Sequence, residues 1–175
     1  MPTLAWTDDI ALSHPEMDTT HREFVELLAA AETALLTSPQ AALGPYEALV
    51  DHTVAHFGQE DRWMAATGFA PENCHSFQHA QVLGLMQEVT RLAREQGDFG
   101  PLSRVLPELA HWFVSHAQSM DAALASHLQQ VGFDPATGQL SRPLQAQTPA
   151  ISGCGGSSCS PAEAPAASDP AESVA

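Results

Sequence analysis

The segment HFGQED, residues 56 to 61, sets His56 and Glu60 four residues apart, with Phe57 between them and Trp63 and Met64 just beyond. Four residues on an α-helix is about one turn, so the imidazole and the carboxylate share a face. HSFQH places His75 and His79 four apart, HAQSMD places His116 and Asp121 five apart, and MDTTHREF carries His21. Taken singly, each pair reads more readily as a solvated helix face, and a lone histidine such as His21 more readily still. Taken as a set, five imidazoles and two carboxylates are metal donors. Without a thiolate among them they suit a borderline first-row ion such as iron or manganese better than zinc in a cysteine site. Seven donors are too many for one ion but natural for two octahedral ions that share bridging carboxylates.

Such a set works only if helices bring it to one level. Phe24, Val25, Leu27, Leu28, Ala31, Leu35 and Leu36 form a helical stripe; Thr20 with Glu23 reads as a capping box, and Ser38-Pro39 as the end of that run. A second helix is expected from Pro45 to Gly68, a third from Pro71 to Gly97, and a fourth between Pro101 and Gly132, with Pro107 kinking or beginning it. No stretch sustains two-residue alternation. The expectation is an all-α, up-down-up-down four-helix bundle. In such a bundle the donors of all four helices fall within a few turns of one layer. Two fit less well. His21 needs its helix to start before Thr20, and His116 lies somewhat deep. Five residues on a regular α-helix also turn His116 and Asp121 about 140° apart. A π-bulge between them would bring the two together, and such bulges are frequent at functional sites.

Composition narrows the partners. The chain has 175 residues, nine histidines and a formal net charge of −15, with no lysine and no basic patch. Nucleic acid and anionic membrane surfaces are therefore poor partners. No apolar run approaches the length of a membrane span. The opening MPTLAWTDDI lacks the basic and apolar regions of a signal peptide, which predicts a cytoplasmic protein. The expected division is a helical domain over residues 1–133 and a disordered tail over 134–175. The tail is rich in Pro, Gly, Ser and Ala and too poor in apolar surface to fold.

MDTTHREF, HFGQEDRWM, HSFQH and HAQSMD, in that order, resemble the bacterial hemerythrins, and the likeness extends over roughly residues 4 to 130, including Trp6. The resemblance implies two non-haem iron ions joined by an oxo or hydroxo bridge. It assigns His21 and His56 to one iron, His75, His79 and His116 to the other, and Glu60 and Asp121 to both. It implies a protein that is not an enzyme, is monomeric, and binds dioxygen reversibly at an open position on the two-histidine iron, for transport, storage or delivery. Asp61 stands where the family often has a second glutamate, and it is not a ligand. Phe24, Phe57, Trp112, Phe113, Val82 and Leu83 are spaced to wall such a pocket, although each alone reads as core packing.

Other readings remain open. The same di-iron site could serve an O2-, redox- or NO-responsive sensor or a scavenger, but a sensor normally needs an output domain, and only the tail offers one. A ferritin-like di-iron oxidase would use Glu-x-x-His pairs. Glu72 with His75 and Glu108 with His111 have that spacing but lie about 25–30 Å apart along the bundle. His52 reads as surface, and His14, His111 and His127 as exposed or interfacial. Cys74 reads as a small core hydrophobe, and Cys154 and Cys159 as having no defined site.

Overall fold

The computed structural model describes residues 2–69 and 74–141. Helix α1 spans Pro15–Leu35, α2 Pro39–Thr67, α3 Cys74–Gln96, α4 Gly100–His116 and α5 Ala122–Val131, with a π-helical turn over Ala117–Asp121 linking the last two. The fourth element expected from the sequence is thus α4, the π turn and α5 in continuous succession. Each helix packs on the next and α4 returns to α1, which closes the four-helix bundle. None of the described helices is long and apolar enough to cross a membrane.

Two helix starts differ from expectation, for the same reason. Helix α1 begins at Pro15, where the ring at the first position sacrifices no hydrogen bond and His14 Nδ1 accepts from the Met17 amide at 3.4 Å. The Thr20–Glu23 box therefore does not cap anything; the Thr20 hydroxyl donates to the Glu16 carbonyl at 2.9 Å. The earlier start carries His21 a full turn into the helix, as the donor layer requires. Ser38-Pro39, read as a stop, opens α2: Ser38 Oγ accepts from the Ala41 amide at 3.0 Å. Pro45 lies inside α2 rather than beginning it. Pro107 likewise lies within α4 rather than beginning it. The expected start of α3 at Pro71 lies outside the described residues.

The core has two parts. Phe24, Leu28, Tyr46, Leu49, Met86, Leu106 and Phe113 belong to the larger cluster. Met17, Trp63, Met64, Phe69, Leu124, Ala125 and Leu128 form the smaller. His21, Glu60 and Asp121 each fall in sequence between a member of one cluster and a member of the other, so the polar layer is the seam between them. Tyr46 ties the larger part across helices, its hydroxyl donating to the Met86 carbonyl at 3.2 Å.

Order continues past the expected boundary at Phe133. Gly132 ends α5 in the left-handed conformation (φ 63°), and a two-stranded hairpin follows, β1 (Phe133–Asp134) paired antiparallel with β2 (Gln139–Leu140). Asp134 holds the turn by accepting from the Ala136 amide at 2.9 Å and the Thr137 hydroxyl at 2.7 Å, while Phe133 packs on the smaller cluster. The remainder of the expected tail, 142–175 with Cys154 and Cys159, lies outside the described residues. A Cβ at Gly132 would meet Ser141 at 3.0 Å in a conformation that costs an L-residue about 1–2 kcal/mol. Gly132→Ala should therefore lower the thermal unfolding midpoint, and a calorimetric scan that matches the parent would refute this account of the hairpin.

Candidate metal centre

The seven side chains singled out by spacing are His21 on α1, His56 and Glu60 on α2, His75 and His79 on α3, His116 at the end of α4 and Asp121 at the end of the π turn. All seven lie in the protein interior, between 0% and 5% exposed. The π turn removes the mismatch between His116 and Asp121: the extra residue in the turn leaves His116 Nε2 3.1 Å from Asp121 Oδ1.

The inward nitrogens converge on the two carboxylates. Glu60 Oε1 lies 3.2 Å from His56 Nε2, while its Oε2 lies 3.3 Å from His75 Nε2 and 3.4 Å from His79 Nε2. Asp121 Oδ2 lies 3.2 Å from His21 Nε2, while its Oδ1 lies 2.9 Å from His75 Nε2 and 3.1 Å from His116 Nε2. Each carboxylate thus turns one oxygen to the His21/His56 side and the other to the His75/His79/His116 side. Glu60, His75, His79, His116 and Asp121 each offer a donor atom within 4.8 Å of all the others, and His21, His56 and Glu60 form a second such group.

His56 Nε2 and Glu60 Oε1 are placed to hydrogen-bond, but several of the other contacts are not hydrogen bonds. His21 Nε2 and both Asp121 oxygens are buried, close together and misaligned for hydrogen bonding. His79 Nε2 and His116 Nε2 face each other at 3.1 Å, and with both rings neutral and protonated at Nδ1, toward Asp61 and Gln78, two lone pairs meet and repel. A cation between them relieves both problems. At a metal–nitrogen distance of about 2.1 Å, neighbouring ligands on an octahedron stand about 3.0 Å apart, close to the spacings seen here. The electrostatics agree. Burial alone would raise Glu60, as would Asp121 beside it, yet His56 and His75 hold it below the usual carboxylate range. Asp121 is also opposed by burial and is held well below by His116, His21 and His75. Burial works against protonated His75, but Asp121 and Glu60 push it up to about 9. Every described arginine is exposed, so no fixed positive side chain neutralises the two anions. The residues present therefore fit a pair of multivalent cations.

Around the centre, aromatic rings exclude water. Phe57 stacks on the His79 ring at 3.8 Å, Trp112 stacks on His116 at 4.4 Å, and Phe113 meets His21 edge-on at 5.1 Å. Phe24 stacks on Phe113 at 4.4 Å, and Val82 and Leu83 are half-buried.

Several neighbours differ from their sequence reading. His52 is half-buried rather than on the surface, with Nε2 3.1 Å from the Thr20 carbonyl; burial lowers its pKa. His127 is buried, 3.1 Å from the Thr67 carbonyl, and His14 is half-buried as the α1 cap. His111 is exposed as expected, and so is Glu108, which leaves the oxidase pairing without an inward-facing second half. Cys74 is half-buried rather than in the core. Gln78, whose Oε1 lies 3.1 Å from His116 Nδ1, was not legible, because the contact depends on how α3 and α4 align.

Comparison with known proteins agrees with this geometry. Residues 13–128 match the family described as the Hemerythrin HHE cation binding domain, a span that holds all seven side chains. A bacteriohemerythrin of Ralstonia nicotianae is 36% identical over 134 residues, covering 77% of this chain and 95% of that protein. Bacteriohemerythrins of Stenotrophomonas maltophilia and Pseudomonas aeruginosa are each 27% identical, covering 74% and 70% of this chain and 87% and 79% of theirs.

Ions that bind this layer only when the chain is folded must stabilise it, by about 2.7 kcal/mol at a hundred times the dissociation constant. Thermal unfolding should move to higher temperature with ferrous iron and fall back with a chelator. An unfolding temperature indifferent to both would show that the layer holds no metal.

Proposed function

The chain belongs to the hemerythrin family, and from that premise we propose that it holds two non-haem iron ions and takes up and releases dioxygen reversibly. In this reading His21 and His56 would hold one iron, His75, His79 and His116 would hold the other, and Glu60 and Asp121 would serve both. When bound, the iron pair supplies the electrons that dioxygen takes up and returns. The observation that carries the proposal is the division of both carboxylates, each with one oxygen beside one histidine of the His21/His56 pair and the other beside two of His75, His79 and His116.

The protein's own residues do the rest. The group built around His21 and His56 offers fewer donors than its neighbour, which leaves that side able to accept a small ligand. Phe113 and Phe24, both buried, close the space beside His21, so a small apolar molecule is admitted more readily than bulk water. A dry, low-dielectric site strengthens the electrostatic hold on the ions and slows their irreversible oxidation. The proposed role is carriage, storage or delivery, with a redox or scavenging role on the same site as the alternative. All seven ligands come from one chain, so the site needs no second copy. They lie within residues 1–133, which we take as the di-iron unit.

Protein reduced without air should contain two irons per chain, develop a charge-transfer band with oxygen, and lose it on flushing with argon. His56→Ala and Glu60→Ala should each hold fewer than two. A band that persists after flushing would replace carriage with a redox or scavenging role. Two irons retained by either variant would overturn the ligand assignment.

A further inference from the structure

The two halves of the centre are supported differently from behind. A metal-binding imidazole works best when its other nitrogen donates to an acceptor, which fixes the tautomer, orients the ring and raises its basicity. His116 Nδ1 has such a partner in Gln78 Oε1 at 3.1 Å, and His79 Nδ1 has Asp61 Oδ1 at 3.4 Å. A carboxylate can only accept, so the proton of a neutral His79 sits on Nδ1 and its Nε2 lone pair points inward. On the other side, His21 Nδ1 and His56 Nδ1 are buried with no hydrogen-bond partner among the described residues. Their rings are held by contacts with each other, His21 also against Phe113 and His56 against Phe57.

We propose that Gln78 and Asp61 are positioning residues that make the centre unequal: they lock the iron of the three-histidine half, so the iron on the His21/His56 side leaves first and a one-iron form is an intermediate of loading and loss. This rests on the di-iron reading. It deepens that reading by assigning roles to two residues outside the ligand set. Both residues stand next to a ligand or bridge in sequence, Gln78 before His79 and Asp61 after Glu60. Their side chains nevertheless act across the bundle, on α4 from α3 and on α3 from α2.

The test uses the full chain loaded with two ferrous ions under argon. An excess of a colour-forming ferrous chelator then follows iron release with time. The parent should release one iron quickly and the second about tenfold or more slowly. Gln78→Leu and Asp61→Leu should each speed the slow phase, by about 10–100-fold for a supporting partner of this kind, and leave the fast phase unchanged. Gln78→Glu keeps the acceptor and should keep the slow phase. Asp61 is about half exposed, so its variant remains informative if the one at Gln78 does not fold. Single-phase release from the parent would overturn the proposal, as would equal acceleration of both phases or a Gln78→Glu variant that behaves like Gln78→Leu. A starting count below two irons per chain would instead overturn the di-iron reading.

Discussion

Two carboxylates sit in the middle of this bundle, no arginine among the described residues is placed to neutralise them, and most of the architecture is a response to that. A buried, uncompensated carboxylate is costly by several kcal/mol, and two of them near each other more so. Protonating two of the imidazoles, His75 among them, would balance the charge, but the remaining inward nitrogens would still be crowded against one another. Multivalent cations resolve the conflict, since the same lone pairs that repel one another become ligands. The polar layer is therefore half of an interaction whose other half is an ion, and the helices around it are arranged to hold the set open for that ion.

Helix geometry sets how the layer can be built. His56 with Glu60 and His75 with His79 use the four-residue repeat, which needs no distortion of the backbone. His116 and Asp121 do not fit it, and the chain inserts one π turn over Ala117–Asp121 to bring both inward. The distortion is confined to the point where a carboxylate must reach both halves, and α5 resumes a regular course immediately after. Leu124 and Leu128 then bury themselves four residues apart in the smaller cluster.

Much of this was legible in the sequence, because it is local. Helical periodicity, the paired donors and the need for a π turn all follow from spacing within one element. The helix starts were harder, since Ser38-Pro39 carries both a stop and a start signal, and only packing decides between them. Thr20–Glu23 has the composition of a cap without a helix end to act on. What escaped the sequence altogether depends on alignment between elements. Gln78 reaches His116 across the α3–α4 boundary, and His52 reaches the Thr20 carbonyl across the α1–α2 boundary. Their residue types carry no sign of it. The hairpin after Gly132 was missed because its strands are two residues long, too short for an alternating pattern, and its signal lies in Asp134 and Gly138 instead.

The position of the layer, between two apolar clusters, also bears on why the bundle adopts one alignment. Each cluster consists of aliphatic and aromatic side chains that would tolerate modest sliding of one helix along another. The polar layer would not. Sliding α2 by one turn would move Glu60 level with Phe57 or Met64 and leave a charge facing hydrocarbon, at a cost of several kcal/mol. The clusters therefore supply most of the drive to form a bundle, while the seven donors select the alignment within it. The metal-binding layer is in this sense part of the folding code, and a substitution there bears on both the choice of fold and the hold on the ions.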